Sequence, residues 1–232
     1  MKRINIAIDG YSGCGKSTLA KDLAGALNYT FIDSGAMFRG LTHYCIRHGI
    51  DMYDAGAIAE LIQNRPSIVF DSKSNHLLLN GIDVETQIRN DQKVVSSVSF
   101  VAAVPHVRTY LKELQQEYIA NKGVVMDGRD IGTVIMPDAE LKVFVTATIE
   151  ERVFRRLQQL KGQGESVTEE EVKTNLVERD RADANRSAAP LKKALNSVCF
   201  DTTNFTRESQ LEAILSIARP KIDPEKYLPF IQ

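Results

Sequence analysis

Apolar positions along the chain switch between two periods. Ile4-Asn-Ile-Ala-Ile8 is a short β-branched run that ends at Asp9-Gly10. After a glycine-rich turn, the spacing of Leu19, Leu23 and Leu27 predicts a helix from Ser17 to Leu27. The alternation continues with a strand over Tyr29–Asp33, a helix over Ala36–His48 closed by Gly49, and a further helix from Asp54 to Asn64. Val124–Asp127, Leu141–Thr146 and Val198–Asp201 are more short apolar strands with helical segments between them. Strands alternating with helices predict an α/β fold, a five-stranded parallel sheet covered on both faces.

Two stretches break the pattern. Ser67–Phe70 and His76–Leu79 are β-like runs joined by a polar turn, and Asn80-Gly81 offers a second tight turn towards Ile82–Val84. These predict a small antiparallel meander inserted into the α/β frame. Glu150–Arg186 is highly charged, with Gly162 and Gly164 dividing it into two helical segments, and reads as a mobile, solvated hairpin. Pro220–Gln232 has low helical propensity and reads as a tail.

Composition narrows the function classes. At 232 residues, 43% hydrophobic and 25% charged, the chain is an ordinary globular protein with room for one sizeable core. A formal charge of −1 provides no global positive field for nucleic acid or anionic membrane, so anion binding must come from local clusters. Cys14, Cys45 and Cys199 are odd in number and far apart, and make neither a metal-ligand pair nor a disulfide framework. With no signal peptide and no bilayer-length apolar run, the expected location is the cytoplasm.

The segment Gly10-Tyr11-Ser12-Gly13-Cys14-Gly15-Lys16-Ser17 fits G-x-x-x-x-G-K-[ST] and lies between a strand and an amphipathic helix that continues with Thr18. The glycines let backbone N–H groups turn inward around phosphate oxygens at the positive end of the helix. Lys16 then lies along the β- and γ-phosphates and the Ser17 hydroxyl ligates Mg²⁺. A GTPase switch is disfavoured, because Asn121-Lys122-Gly123-Val124 lacks the acidic residue of a guanine-reading element. Polar residues at the other strand ends, Asp33-Ser34 and Asp127-Gly128-Arg129-Asp130, with Arg39 nearby, suit a phosphate-bearing acceptor. Asp33-Ser34 also suits a helix cap, and Asp127 is either an acid near Mg²⁺, acting through water, or a structural carboxylate.

Further segments follow in order: Ile8–Thr18, Ile32–Arg39, Ser99–Arg108, Met126–Asp138, Glu151–Arg156 and Glu178–Arg186. In sequence they resemble the bacterial-type cytidylate kinases, P-loop nucleoside monophosphate kinases, over nearly the whole chain. The resemblance implies one domain with a core (1–36, 97–149, 187–219), a monophosphate-binding insertion (37–96), a lid (150–186) and the tail (220–232). It implies that ATP and CMP or dCMP are the substrates, with Mg²⁺, in a monomer serving pyrimidine metabolism. Ser34, Arg39, Arg129 and Arg186 are implied at the CMP phosphate, Ser99, Arg108 and Asp130 at the cytosine edge, and Asp183 and Arg179 at the ribose. The implied catalytic cations are Lys16, Arg129 and the lid arginines Arg152, Arg155, Arg156 and Arg181. By themselves Arg152, Arg155 and Arg156 would more simply be a solvated helix face. Two departures stand out: Tyr11 where the family often has proline, and Ala182 and Ala184 where relatives carry more arginines. The alternatives are another small P-loop kinase, for a metabolite such as shikimate or dephospho-coenzyme A, and a regulatory module that binds ATP without transferring phosphate.

Overall fold

The computed structural model describes residues 2–162 and 164–227. In chain order the elements are β1 (Asn5–Gly10), α1 (Lys16–Leu27), β2 (Thr30–Asp33), α2 (Ser34–Arg47), α3 (Ala55–Ile62), β3 (Ile68–Phe70), β4 (Leu77–Leu79), β5 (Ile82–Asp83), α4 (Glu85–Asn90), α5 (Gln92–Val101) and α6 (Pro105–Ile119). Then come β6 (Val124–Gly128), a π-helical turn (Ile131–Ile135), β7 (Leu141–Thr146), α7 (Ile149–Gly162), α8 (Glu169–Asn185), β8 (Val198–Asp201), α9 (Arg207–Ile222) and α10 (Pro224–Tyr227).

The five predicted strands form one sheet in the order β2-β6-β1-β7-β8. β1 runs parallel to β6 on one side and β7 on the other, and β7 parallel to β8. Every residue of β1 is buried, which is why it reads as a continuous apolar run instead of an alternating one. Ile4, Ile6 and Ile8 pack with Leu19 and Leu23 of α1 and with Ile214 and Leu215 of α9. The expected meander is present as a second sheet, β3-β4-β5, antiparallel throughout.

The chain divides into two compact units. The first comprises Met1–Phe31, Asn121–Asn185 and Ala189–Gln232, and the second Ile32–Ala120 with Arg186–Ala188. The second is organised around α2, against which α4, α5, α6 and β4 pack. In the first, α7 and α8 make the expected hairpin, with Val153, Leu160, Val172 and Leu176 as a small core of its own.

The structure differs from the sequence reading at the stretch beginning with Pro220. α9 runs through Pro220 to Ile222, and α10 follows. Tertiary contact overrides local propensity here: the Lys2 amide donates to the Ile222 carbonyl at 2.9 Å, fixing the last turn. Residues 228–232 of the expected tail lie outside the described residues.

Candidate functional site

β1 delivers the chain into the loop at Gly10, whose φ is +156°. A Cβ there would sit 2.1 Å from the Val145 carbonyl oxygen of β7, so only glycine lets the two strands lie this close. Gly15, at φ +84°, turns the chain into α1. Lys16, Ser17 and Thr18 follow in the first turn, so the loop ends on free helical N–H groups. Tyr11 is half-buried, and Ser12 and Cys14 are buried. The Ser12 amide donates to the Asp180 carboxylate at 3.2 Å, so an anion already faces one of the loop N–H groups. Lys16 is buried and donates to the Tyr11 carbonyl at 3.1 Å. Burial, and after it the Arg129 guanidinium, lowers the Lys16 pKa.

Ser17 and Asp127 meet across α1 and the end of β6, with the hydroxyl donating to the carboxylate at 2.5 Å. Both offer oxygen, and a Mg²⁺ shared with phosphates needs only one or two protein oxygens, so this pair fits that ion. No cluster of three or more His, Cys, Asp or Glu suited to a metal occurs among the described residues. Asp9 serves a different purpose. Its two oxygens accept from the Ile131 and Gly132 amides at 2.8 and 2.7 Å, pinning the π-helical turn that follows Arg129-Asp130. Burial pushes Asp9 up to about 6 despite those two hydrogen bonds.

Three arginines of the first unit converge on the loop. Arg129 donates through Nε to Asp183 at 2.7 Å and reaches the Ser12 hydroxyl at 3.4 Å. Burial opposes its charge, and Asp183 more than offsets that, raising its pKa. Arg152 of α7 donates to the Ser12 carbonyl at 3.2 Å and pairs with Asp180 of α8. Arg155 donates to the Thr202 hydroxyl and carbonyl at 2.9 and 2.7 Å and pairs with Glu151. The other two arginines expected on a lid are elsewhere: Arg156 donates to Gln159 along its own helix, and Arg181 is exposed. Arg179 is half-buried and close enough to Lys16 to help lower its pKa. Asp130 is buried beside the π-helical turn.

In the second unit, Asp33 both caps α2 and gathers cations. One oxygen accepts from the Ala36 amide at 2.8 Å, and the other pairs with Arg39 at 3.0 Å and Arg89 at 2.7 Å. Burial alone would raise Asp33, but the two guanidinium groups hold it well below the usual carboxylate range. Ser34 is buried at the start of α2. Arg108 donates to the Ala102 carbonyl at 3.0 Å and stacks over Phe38 at 5.3 Å. It lies one turn into α6, which starts with Pro105. Ser99 is half-buried on α5, and Arg186, also half-buried, lies just past α8.

Arg89 and Asp180 were not singled out in the sequence. Asp180 meets Arg152 across 28 positions, and Arg89, which also pairs with Glu85 one turn back, reaches Asp33 across 56, a contact that no local pattern marks. A recess of about 240 Å³ beside Gly15 adds Asp22, Phe205 and Gln210, which the sequence did not single out, to Thr18 and Arg155, which it did. For its far wall the sequence offers an aromatic followed by a polar helix start, Phe205-Thr206-Arg207, which is common in surface turns.

Residues 6–220 match the family model described as cytidylate kinase. The cytidylate kinase of Cytophaga hutchinsonii is 44% identical over 230 residues, covering 98% of this chain and 98% of its own. That of Bacteroides thetaiotaomicron is 45% identical over 220 residues, covering 91% and 95%. Among solved structures, TT1252 from Thermus thermophilus aligns over 96% of this chain and 99% of its own, with a TM-score of 0.48 and 19% identity.

Proposed function

The chain belongs to the cytidylate kinase family, and from that membership we propose how its own residues divide the work of the reaction. The enzyme transfers the γ-phosphoryl group of ATP to CMP or dCMP, giving CDP or dCDP and ADP. The observation that carries the site reading is the loop itself: a buried Lys16 behind Gly10–Gly15, with Ser17 hydrogen-bonded to Asp127.

A phosphate monoester has a second pKa of about 6, so the acceptor oxygen is already largely anionic at neutral pH. The reaction therefore needs no general base. It needs two polyanions held in line and the charge of the migrating group neutralised. The loop amides and Lys16 take the triphosphate, and Arg129, Arg152 and Arg155 supply further positive charge. Among the described residues Arg156 bonds Gln159 and Arg181 is exposed, so their part is limited to the general positive charge of the lid. Ser17 and Asp127 would hold Mg²⁺, which supplies charge neutralisation at the β- and γ-phosphates when bound. The recess beside Gly15 suits the donor base, with Phe205 as an apolar wall and Gln210 as a polar handle.

For the acceptor, Ser34, Arg39, Arg129 and Arg186 are assigned to the phosphate, and Arg179 and Asp183 to the ribose. Asp33 with its two arginines supports this reading, because a single anionic oxygen already collects Arg39 and Arg89. Ser99, Arg108 and Asp130 are assigned to the cytosine edge. Cytosine offers an amine donor that an aspartate accepts, whereas uracil offers a carbonyl. Action as a monomer in the cytoplasm completes the reading, supported there by three free cysteines. Among the described residues no single helix is long and apolar enough to cross a membrane.

A coupled ADP-release assay with CMP, dCMP, UMP, AMP and shikimate tests the proposal. The cytosine nucleotides should drive ADP formation in a one-to-one ratio with the diphosphate product, and UMP about tenfold less efficiently or worse. A folded Lys16→Ala protein should lose about a hundredfold or more in kcat. ADP release indifferent to every acceptor would leave only an ATP-binding module.

A further inference from the structure

Tyr11 is the aromatic side chain of the phosphate loop, and its ring touches both β7 and α7. Its ring meets Phe144 of β7 edge-on, with centroids 5.7 Å apart and planes at 85°. The guanidinium carbon of Arg152 lies 5.3 Å from the centroid of the same ring. Phe144 is itself only 8% exposed within a central strand, so the ring rests on a fixed support.

Arg152 needs such a support. It is 8% exposed, and its Nε is buried with no hydrogen-bond partner among the described residues. Its NH1 group is occupied by the Ser12 carbonyl and Asp180. Asp180 in turn accepts the Ser12 amide, one of the N–H groups that faces a phosphate once nucleotide enters. A triphosphate arriving at that amide displaces and repels the Asp180 carboxylate and competes with it for the guanidinium, so this tie to Arg152 weakens when the arginine is required. The aromatic face does not compete with phosphate. A guanidinium stacks on a ring by its plane and keeps its N–H edges available for an anion.

We propose that Tyr11 is a positioning residue for phosphoryl transfer, its ring holding Arg152 flat beside the loop with donor edges directed at the donor phosphates. The proposal rests on the assignment of Arg152 as a charge-neutralising residue, and the test separates the two.

Steady-state kinetics on the full chain compare wild type, Tyr11→Phe, Tyr11→Leu, Arg152→Met and the Leu/Met double variant, each with its thermal midpoint recorded. Arg152→Met should lower kcat about a hundredfold. Tyr11→Leu should lower kcat about tenfold and change KM for ATP less than about threefold. Tyr11→Phe, which keeps the ring face, should recover most of that loss. In the double variant the Leu change should add nothing to the Arg152→Met loss, since without a guanidinium the ring has nothing to hold. Full multiplication of the two losses would overturn the proposal, as would a Phe variant no better than Leu. If Arg152→Met is impaired and Tyr11→Leu is not, the Tyr11 role alone falls. If Arg152→Met retains its kcat, both fall. Should Tyr11→Leu not fold at the assay temperature, Tyr11→Met fills the same space without a π face, and the same criteria apply to it.

Discussion

At the residue scale the site depends on a few positions where no neighbouring side chain can substitute. Gly10 is the most constrained of them. A methyl group there would lie 2.1 Å from one backbone oxygen of β7 and 3.0 Å from the adjoining carbon, neither of which can rotate away. Gly10→Ala should therefore destabilise the fold by about 3 kcal/mol or more, read as a shift in denaturation midpoint. A loss below about 1 kcal/mol would mean that β1 and β7 can part without cost. The glycine loop, Lys16 and Ser17 were legible from sequence because their chemistry is compressed into eight consecutive residues. Asp9 was read only as a polar strand end. Its bond partners are the amides of Ile131 and Gly132, more than 120 positions away, and no local pattern announces them. Arg89 escaped for the same reason, since it meets Asp33 only once α4 is packed on α2.

At the scale of elements, legibility followed burial. β1, β6 and β7 are buried almost throughout, so their apolar runs had one reading, and the meander was marked by its turns. Propensity alone makes the chain a tail from Pro220 onward, because it takes no account of the Lys2 amide that bonds the Ile222 carbonyl. α8 shows the converse limit. It buries only Val172 and Leu176 in 17 residues, so its stability comes from those two contacts with α7 and from charged ties at its far end. The Leu176 side chain also lies within 3.6 Å of where a Cβ on Gly13 would sit, placing α8 against the phosphate loop. Leu176→Ala should then loosen the hairpin selectively. Amide exchange in α7 and α8 should quicken by about tenfold or more, while that of β1 stays unchanged. A uniform acceleration across the chain would show that the hairpin is not a separate cooperative unit.

For the whole molecule, the net charge of −1 hides two buried carboxylates with opposite effects on stability. Asp9 is raised from 3.8 to about 6 in the folded chain, chiefly by burial, with Asp130 adding repulsion and Arg129 and the two amides opposing it. The folded state thus binds this proton more tightly than the unfolded state. The stability it confers is fully present below pH 3.8 and is lost as pH rises through about 6. Asp33 is the reverse: its two arginines depress it below 3.8, so its contribution is present above 3.8 and is lost as pH falls below that. Denaturation of wild type, Asp9→Asn and Asp33→Asn across this range separates the two. His43 and His76 also titrate nearby, but they are common to all three proteins and cancel in the differences. The wild-type advantage over Asp9→Asn should shrink by on the order of 2 kcal/mol between about pH 4 and pH 7. The advantage over Asp33→Asn should hold steady across the same span and decline only in stronger acid. An advantage over Asp9→Asn that stayed constant or grew with pH would mean that the paired amides of Ile131 and Gly132 outweigh burial. The brace under Arg129-Asp130 would then be ionised at every pH where the enzyme works.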